Sequence, residues 1–353
     1  MNNFFSDLKV IELAGVLAGP SAGLFFKELG ATVIKIENPK TGGDVTRNWK
    51  LQSENTEKNT SAYYWSINAG KQVLFLDLSI EKDLNQFYTL IETADVLISN
   101  YKLGDDLKLK VDHGALKKIN PRLIYASING FGNHNPRTAY DLILQAESGF
   151  MFMNGEKNAE PLKMPVALID VLAGHQLKEA ILIALLNRHK TQLGAHVTVS
   201  LFDTAIASLA NQATNWLIAH HLPSAQGSLH PNIAPYGEIF TTNDLQKITF
   251  AVGSDTQFKQ LCELLNIPMS ASYQTNKLRV ANRQSLFELL NTEIKKINFP
   301  ALFDECLKHG IPIGKIRNLK EVFELPEAKQ LLHKFTNDGE QMTSVKSIAF
   351  KFH

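Results

Sequence analysis

Short apolar runs alternate with amphipathic stretches along the N-terminal half of the chain. "LKVIEL" (Leu8 to Leu13) is rich in aliphatic residues and predicts a strand. "SAGLFFKELG" follows a turn, opens just after Pro20 and closes at Gly30, which is how helices commonly start and stop. "TVIKIE" (Thr32 to Glu37) predicts a second strand. Strand, helix and strand within about 30 residues make a βαβ unit, parallel and right-handed. The pattern continues with the strand "QVLFLDL", the helix "SIEKDLNQFYTLIETA" with Ser79 as its N-cap, the strand "DVLISN", the short helix "HGALKKIN" and the strand "RLIYASINGFG". Such alternation predicts an α/β fold with an open, doubly wound sheet.

Farther along, "VLAGHQLKEAILIALLNRHKTQLG" predicts a long helix closed by Gly194, followed by a strand and one more helix in "AHVTVSLFDTAIASLANQATNWLIAHH". Residues 222–237, "LPSAQGSLHPNIAPYG", are rich in Pro, Gly and Ser and read as a linker. A smaller α+β region follows, with a hairpin in "GEIFTTNDLQKITFAVG" and a last strand in "SIAFKFH".

Composition excludes several functions. The net charge of +1 provides no field to gather nucleic acid or an anionic membrane, so neither partner is expected. The longest strongly apolar run, Ala180 to Leu186, falls far short of the roughly 20 residues that span a bilayer. The two cysteines, Cys262 and Cys306, form no CxxC, and the histidines include no H-x-x-x-H pair, so no metal site is expected. The start carries no cationic segment ahead of a long apolar one, and the expected location is the cytoplasm.

The first βαβ unit, with Glu37 about 20 residues past its turn, invites a dinucleotide reading. The turn is "AGVLAGPSAG", however, not G-x-G-x-x-G, and Pro20 removes a backbone donor. An oxidoreductase on this fold is therefore disfavoured. The other conspicuous feature is Asp170, alone among apolar residues in "KMPVALIDVLAGHQ". Local rules make it a helix cap, at N-cap or N1, where orphan N–H groups and the helix dipole favour its anion.

Several stretches together resemble one family. "LKVIELAGVLAGPSAGLFFKELGATVIKIENP", "INAGKQVLFLDL", "ADVLISNYKLGD", "LKKINPRLIYASINGFG", "AYDLILQAESG", "HPNIAPYGEIF" and "HGIPIGKIRNLKEVFELPEA" occur in the order found in class III CoA-transferases of the CaiB/BaiF type, which include 2-methylacyl-CoA racemases. The resemblance implies a Rossmann-like large domain from both termini (1–221 and 316–353), the linker 222–237, a small α+β domain (238–315), and an interlocked homodimer. It implies that Asp170 is a nucleophile forming an aspartyl-acyl anhydride and an aspartyl-CoA thioester, with an acyl-CoA and a carboxylic acid as substrates. Coenzyme A is then a substrate, with no tightly bound cofactor. Positions matching CoA contacts are Val16, Leu17, Ala18, Asn38, Lys71, Asn100, Tyr101, Lys108, Thr138, Ala139, Tyr140 and Asp141. At Asn38 the family often carries arginine, so Arg47 or Lys40 is expected to supply the missing cation.

Two further readings stay open. Racemases carry histidine where this chain has Tyr140, and a phenol is a much weaker base than imidazole at neutral pH. Tyr140 therefore favours transfer over racemisation, although the length of 353 residues is nearer that of a racemase. The departure at Asn38 also leaves open a catalytically silent CoA-binding protein.

Overall fold

Six parallel strands, β1 (Lys9–Glu12), β2 (Thr32–Glu37), β3 (Gln72–Phe75), β4 (Val96–Ser99), β5 (Ile124–Asn129) and β6 (Ala195–Ser200), lie side by side in the order β3-β2-β1-β4-β5-β6. This is the doubly wound Rossmann order, in which the chain reverses direction across the sheet between β1 and β4. The computed structural model describes residues 3–337 and 339–351. Its helices in this part of the chain are α1 (Ala18–Glu28), α2 (Ala62–Asn68), α3 (Glu81–Glu92), α4 (Asp105–Lys108), α5 (His113–Ile119), α6 (Asp141–Glu147), α7 (Phe150–Met153), α8 (Leu168–Thr191), α9 (Leu201–Ala207) and α10 (Ala210–Leu217).

Both faces of the sheet are covered, which explains strands that read as continuous apolar runs. Val10, Val33, Val96 and Ile124 point into a core shared with Ala22 and Phe26 of α1 and Ala173, Leu177 and Ile181 of α8. Their neighbours Ile11, Ile34, Leu97 and Tyr125 point the other way, onto Phe87 and Ile91 of α3 and Leu116 of α5.

Later in the chain come β7 (Tyr236–Thr241), β8 (Lys247–Ala251) and β9 (Ile313–Lys315), an antiparallel sheet, with α11 (Asp255–Leu264), α12 (Asn276–Ala281), α13 (Arg283–Ile294), α14 (Phe299–Lys308), α15 (Leu319–Glu324) and α16 (Pro326–Lys329). Phe240, Phe250, Leu261 and Leu290 build a separate core there. Burial in it pushes the free thiols of Cys262 and Cys306 up to about 11 and about 12. The strands β10 (Leu332–Asn337) and β11 (Glu340–Val345) pair as a hairpin, with Phe335 packed 5.4 Å from Trp65 of α2. By packing, the chain divides into one unit of Met1–Met151, Lys163–Leu222 and Lys329–His353, and another of Phe152–Leu162 and Pro223–Ala328. Among the described residues no helix is long and apolar enough to cross a membrane.

Four local expectations change. Ser79 does not cap α3. Its N–H and hydroxyl both donate to Asp77, while Asp83 reaches back to the Asp77 N–H and Ile80 takes the cap position. Helix α8 ends on Gln192, whose φ of 62° makes the left-handed turn. Gly194 serves instead as a close approach, because a Cβ there would lie 2.0 Å from the Leu123 carbonyl oxygen. The single helix expected after β6 is two, α9 and α10. The described part of "SIAFKFH" has no strand partner. Ser347 binds Glu28 at the end of α1 and Ile348 is buried in the main core; Phe352 and His353 lie outside the described residues.

Candidate active site

A cavity of about 360 Å³ opens at the carboxyl end of the sheet, beside the neighbouring strands β1 and β4 where the strand order reverses. In doubly wound folds this switch point is where ligands bind. Its wall is made by the turn leaving β1 (Gly15 to Ala18), by Asn100 and Tyr101 after β4, by the loop from Asn129 to Tyr140 after β5, and by Asp170.

The first turn of the wall is built under strain. Val16 has φ of 69°, a conformation that a β-branched residue adopts at a cost of about 1–3 kcal/mol. Two flanking groups hold it. Asn100 clamps Gly15 from both sides, accepting from its N–H at 3.1 Å and donating to its carbonyl at 2.9 Å. Asp44 accepts from the Val16 N–H at 3.2 Å. Asp44 is fixed in turn by Lys35 at 3.0 Å and by the Thr46 N–H and hydroxyl. Lys35 also donates to Glu12 at 3.1 Å and to the Ala14 carbonyl at 2.6 Å. Burial opposes its charge, but the carboxylates of Glu12 and Asp44 more than offset this and leave its pKa raised.

Asp170 sits in the first turn of α8, two residues beyond its first residue Leu168 rather than at N-cap or N1. It is 8% exposed. Asp141 fills the capping role: its Oδ1 accepts from the N–H of Ile169 at 2.7 Å and of Asp170 at 3.3 Å. The Asp141 carboxylate also accepts from Gln145 Nε2, and Gln145 Oε1 accepts from the Met164 N–H at 2.8 Å. Asp170 therefore differs from expectation in its electrostatics as well. Burial, then the charge of Asp141, raises its pKa to about 7, where a cap would have lowered it. Tyr63 lies in the same field, its phenol raised to about 12 by burial and by Asp170, Asp141 and Asp44. The sequence "DVLAG" brings α8 against α1. A Cβ on Gly174 would fall 2.1 Å from the Ser21 hydroxyl and 3.0 Å from the Ala18 carbonyl oxygen, so only glycine permits this approach.

The structure gathers Val16, Leu17, Ala18, Asn100, Tyr101, Thr138, Ala139, Tyr140 and Asp170 around one cavity. It does not bring Asn38, Lys71, Lys108 or Asp141 to that wall. Asn38 caps a short turn by accepting from the Lys40 N–H. The Lys71 ammonium has no exposure and is held by both Glu12 oxygens (3.0 and 2.9 Å), the Pro20 carbonyl (2.8 Å) and Asn68 (3.1 Å). Burial lowers its pKa to about 8 even though Glu12 pulls it back up. Lys108 stands in solvent and pairs with Asp105 on its own helix. The cations expected to stand in for arginine are engaged elsewhere: Arg47 on Glu37 (2.6 Å) and the Tyr64 ring, Lys40 on Asp77. The cavity instead holds Lys102 and, paired with Glu147 and lying over the Phe131 ring, Arg137; sequence reasoning missed both. Arg137 directly precedes the matched Thr138, and that adjacency was a usable signal. Nothing in the sequence pattern marks Asp44 or Tyr63.

The sequence profile of CoA-transferase family III matches residues 5–353. A succinate–glutarate CoA-transferase of Agrobacterium fabrum is 39% identical over 92% of this chain and 82% of its own length. Human succinyl-CoA:glutarate CoA-transferase is 33% identical over 94% of this chain and 76% of its own. A crystal structure of a CaiB/BaiF family protein from Brucella suis superposes with a TM-score of 0.84 at 38% identity, covering 97% of this chain and 91% of that one.

Proposed function

The chain belongs to CoA-transferase family III and is an enzyme that transfers coenzyme A; on that footing we propose that Asp170 is its nucleophile. The observation that carries this reading is the placement of a buried carboxylate on the wall of the switch-point cavity, beside the strained 16–18 turn. In the proposed reaction, an Asp170 oxygen attacks the thioester carbonyl and CoA leaves as thiolate. The thiolate then attacks the aspartyl carbonyl of the mixed anhydride, releasing the donor acid and leaving an aspartyl-CoA thioester. The acceptor carboxylate attacks the aspartyl carbonyl of that thioester, expelling CoA thiolate and forming a second mixed anhydride; the thiolate then attacks the acceptor-side carbonyl, giving the new acyl-CoA and releasing the Asp170 carboxylate. Splitting the transfer this way is the logic of nucleophilic catalysis. The first turn of α1 opens on the cavity with N–H groups that lack intrahelical acceptors, suited to a developing oxyanion. Apolar Leu17, Ala18 and Ala139 limit the water that would hydrolyse the anhydride.

The names of the two relatives point to dicarboxylic acids as donor and acceptor, and Lys102 on the cavity wall supplies a cation for a second carboxylate. With succinyl-CoA and glutarate together, glutaryl-CoA and succinate form in equal amounts, followed by chromatography. Uptake of solvent deuterium at the α-carbon of 2-methylacyl-CoA, with no acid present, would instead establish racemisation.

We also propose a homodimer. The run "AILIALL" in α8 is apolar all round, yet Ile183 and Leu186 are 67% and 70% exposed, and Trp216, Leu217 and Ile218 near the end of α10 are 50%, 70% and 76% exposed. A helix apolar on every side belongs in an interior, and a second copy supplies the missing cover. Sedimentation gives a dimer, and Leu186→Asp shifts it toward monomer. A wild-type monomer at micromolar concentration would overturn this.

A further inference from the structure

We infer that Asp141 is a positioning residue for the nucleophile, a carboxylate that fixes the first turn of α8 and sets the charge state at which Asp170 works. The inference rests on the proposed role of Asp170. Geometry supports it first. Asp141 Oδ1 takes the N–H of Ile169 and of Asp170 itself, so the backbone carrying the nucleophile hangs on this one oxygen. The Asp141 carboxylate is held by Gln145, which is 1% exposed and ties the group onward to the Met164 N–H. These three donors orient the Asp141 carboxylate without its touching substrate. It does not line the cavity.

The second consequence is electrostatic. From α6 the charge facing Asp170 is that of Asp141. From the first turn of α1, Ala18 shares the cavity wall with Asp170 and carries none. From the α2 side comes the phenol of Tyr63, neutral near pH 7. The next titratable groups along α8 are His175, lowered by burial and by Lys178, and Lys178, lowered by burial and lying over the Phe25 ring. A helix start normally stabilises an anion; here Asp141 occupies that position, and its charge opposes ionisation of Asp170. The result is a more basic carboxylate than an exposed aspartate, and a stronger attacking group once ionised. The cost is a working range that begins near neutral pH.

The test compares kcat/KM against pH for wild type, Asp141→Asn, Asp141→Glu and Asp170→Asn. Asparagine keeps the accepting oxygen and removes the charge. The acid limb then moves down by roughly one pH unit or more, and the plateau rate falls on the order of tenfold. Asp141→Glu keeps the charge, so its acid limb stays near wild type while kcat drops. A purely structural role predicts lower kcat with no movement of the limb in Asp141→Asn, and that result overturns the inference. If Asp141→Asn does not fold, Asp141→Ser reads the same limb. Activity surviving in Asp170→Asn would sink the nucleophile reading itself, so the two failures are told apart.

Discussion

Replacing Asp170 by asparagine stops CoA transfer and yields a more stable protein. The loss of rate is on the order of a thousandfold or more, since an amide cannot form the anhydride. The gain in stability follows from linkage. Asp170 has an ordinary value of 3.8 in the unfolded chain and about 7 in the folded one. The native state therefore binds the proton more tightly, and stability falls as pH rises from about 4 to about 7. Above pH 7 the whole penalty is present, with an upper limit of roughly 4 kcal/mol. Urea titrations at pH 8 show Asp170→Asn more stable than wild type, and the difference shrinks toward pH 4. Equal stability at pH 8 would mean that the carboxylate is not held at a cost, and the account of its environment would be wrong.

Lys71→Ala gives the opposite pattern. Lys71 and Lys35 share the Glu12 carboxylate in the interior, and Lys71 also bonds the Pro20 carbonyl in the first turn of α1. Removing one partner from a buried pair costs roughly 3–5 kcal/mol, because the charge left behind is poorly compensated. The expected result is a lower urea midpoint with little change in KM for acyl-CoA in the protein that stays folded. If Lys71 bound a CoA phosphate, KM would rise at least tenfold and stability would barely move. The same buried network reaches Val16 through Lys35 and Asp44, so a loss of kcat accompanies the loss of stability.

Much of the fold was legible because it depends on local pattern. Apolar strands and intervening amphipathic helices encode a parallel sheet covered on both faces, and the β1, α1, β2 unit is readable from Leu8 to Glu37. The loop residues of the site were legible through ordered motifs, and those carried by β–α turns, such as Val16 and Tyr101, do line the cavity. Long-range charge pairing was not legible. "INAGK" does not reveal whether Lys71 turns to solvent or to Glu12, which lies 59 residues earlier. Nor does "IELAG" show that Glu12 is fully buried. The reversal at Asp170 has the same cause. Local rules see an acid at a helix start, whereas the competing Asp141 arrives from 29 residues away and takes the helix N–H groups first. Ser79 and Gly194 failed differently: each has the right residue type for a cap, but Asp77 claims the first and the close pass of Leu123 explains the second.

The proposed reaction requires Asp170 to carry the transferred group covalently. Enzyme mixed with succinyl-CoA and quenched with hydroxylamine, then digested and analysed by mass spectrometry, tests it directly. The expected product is an aspartyl hydroxamate on the peptide containing Asp170, dependent on acyl-CoA and missing from Asp170→Asn. Turnover of acyl-CoA with Asp170 unmodified, or a hydroxamate on a different residue, would contradict it.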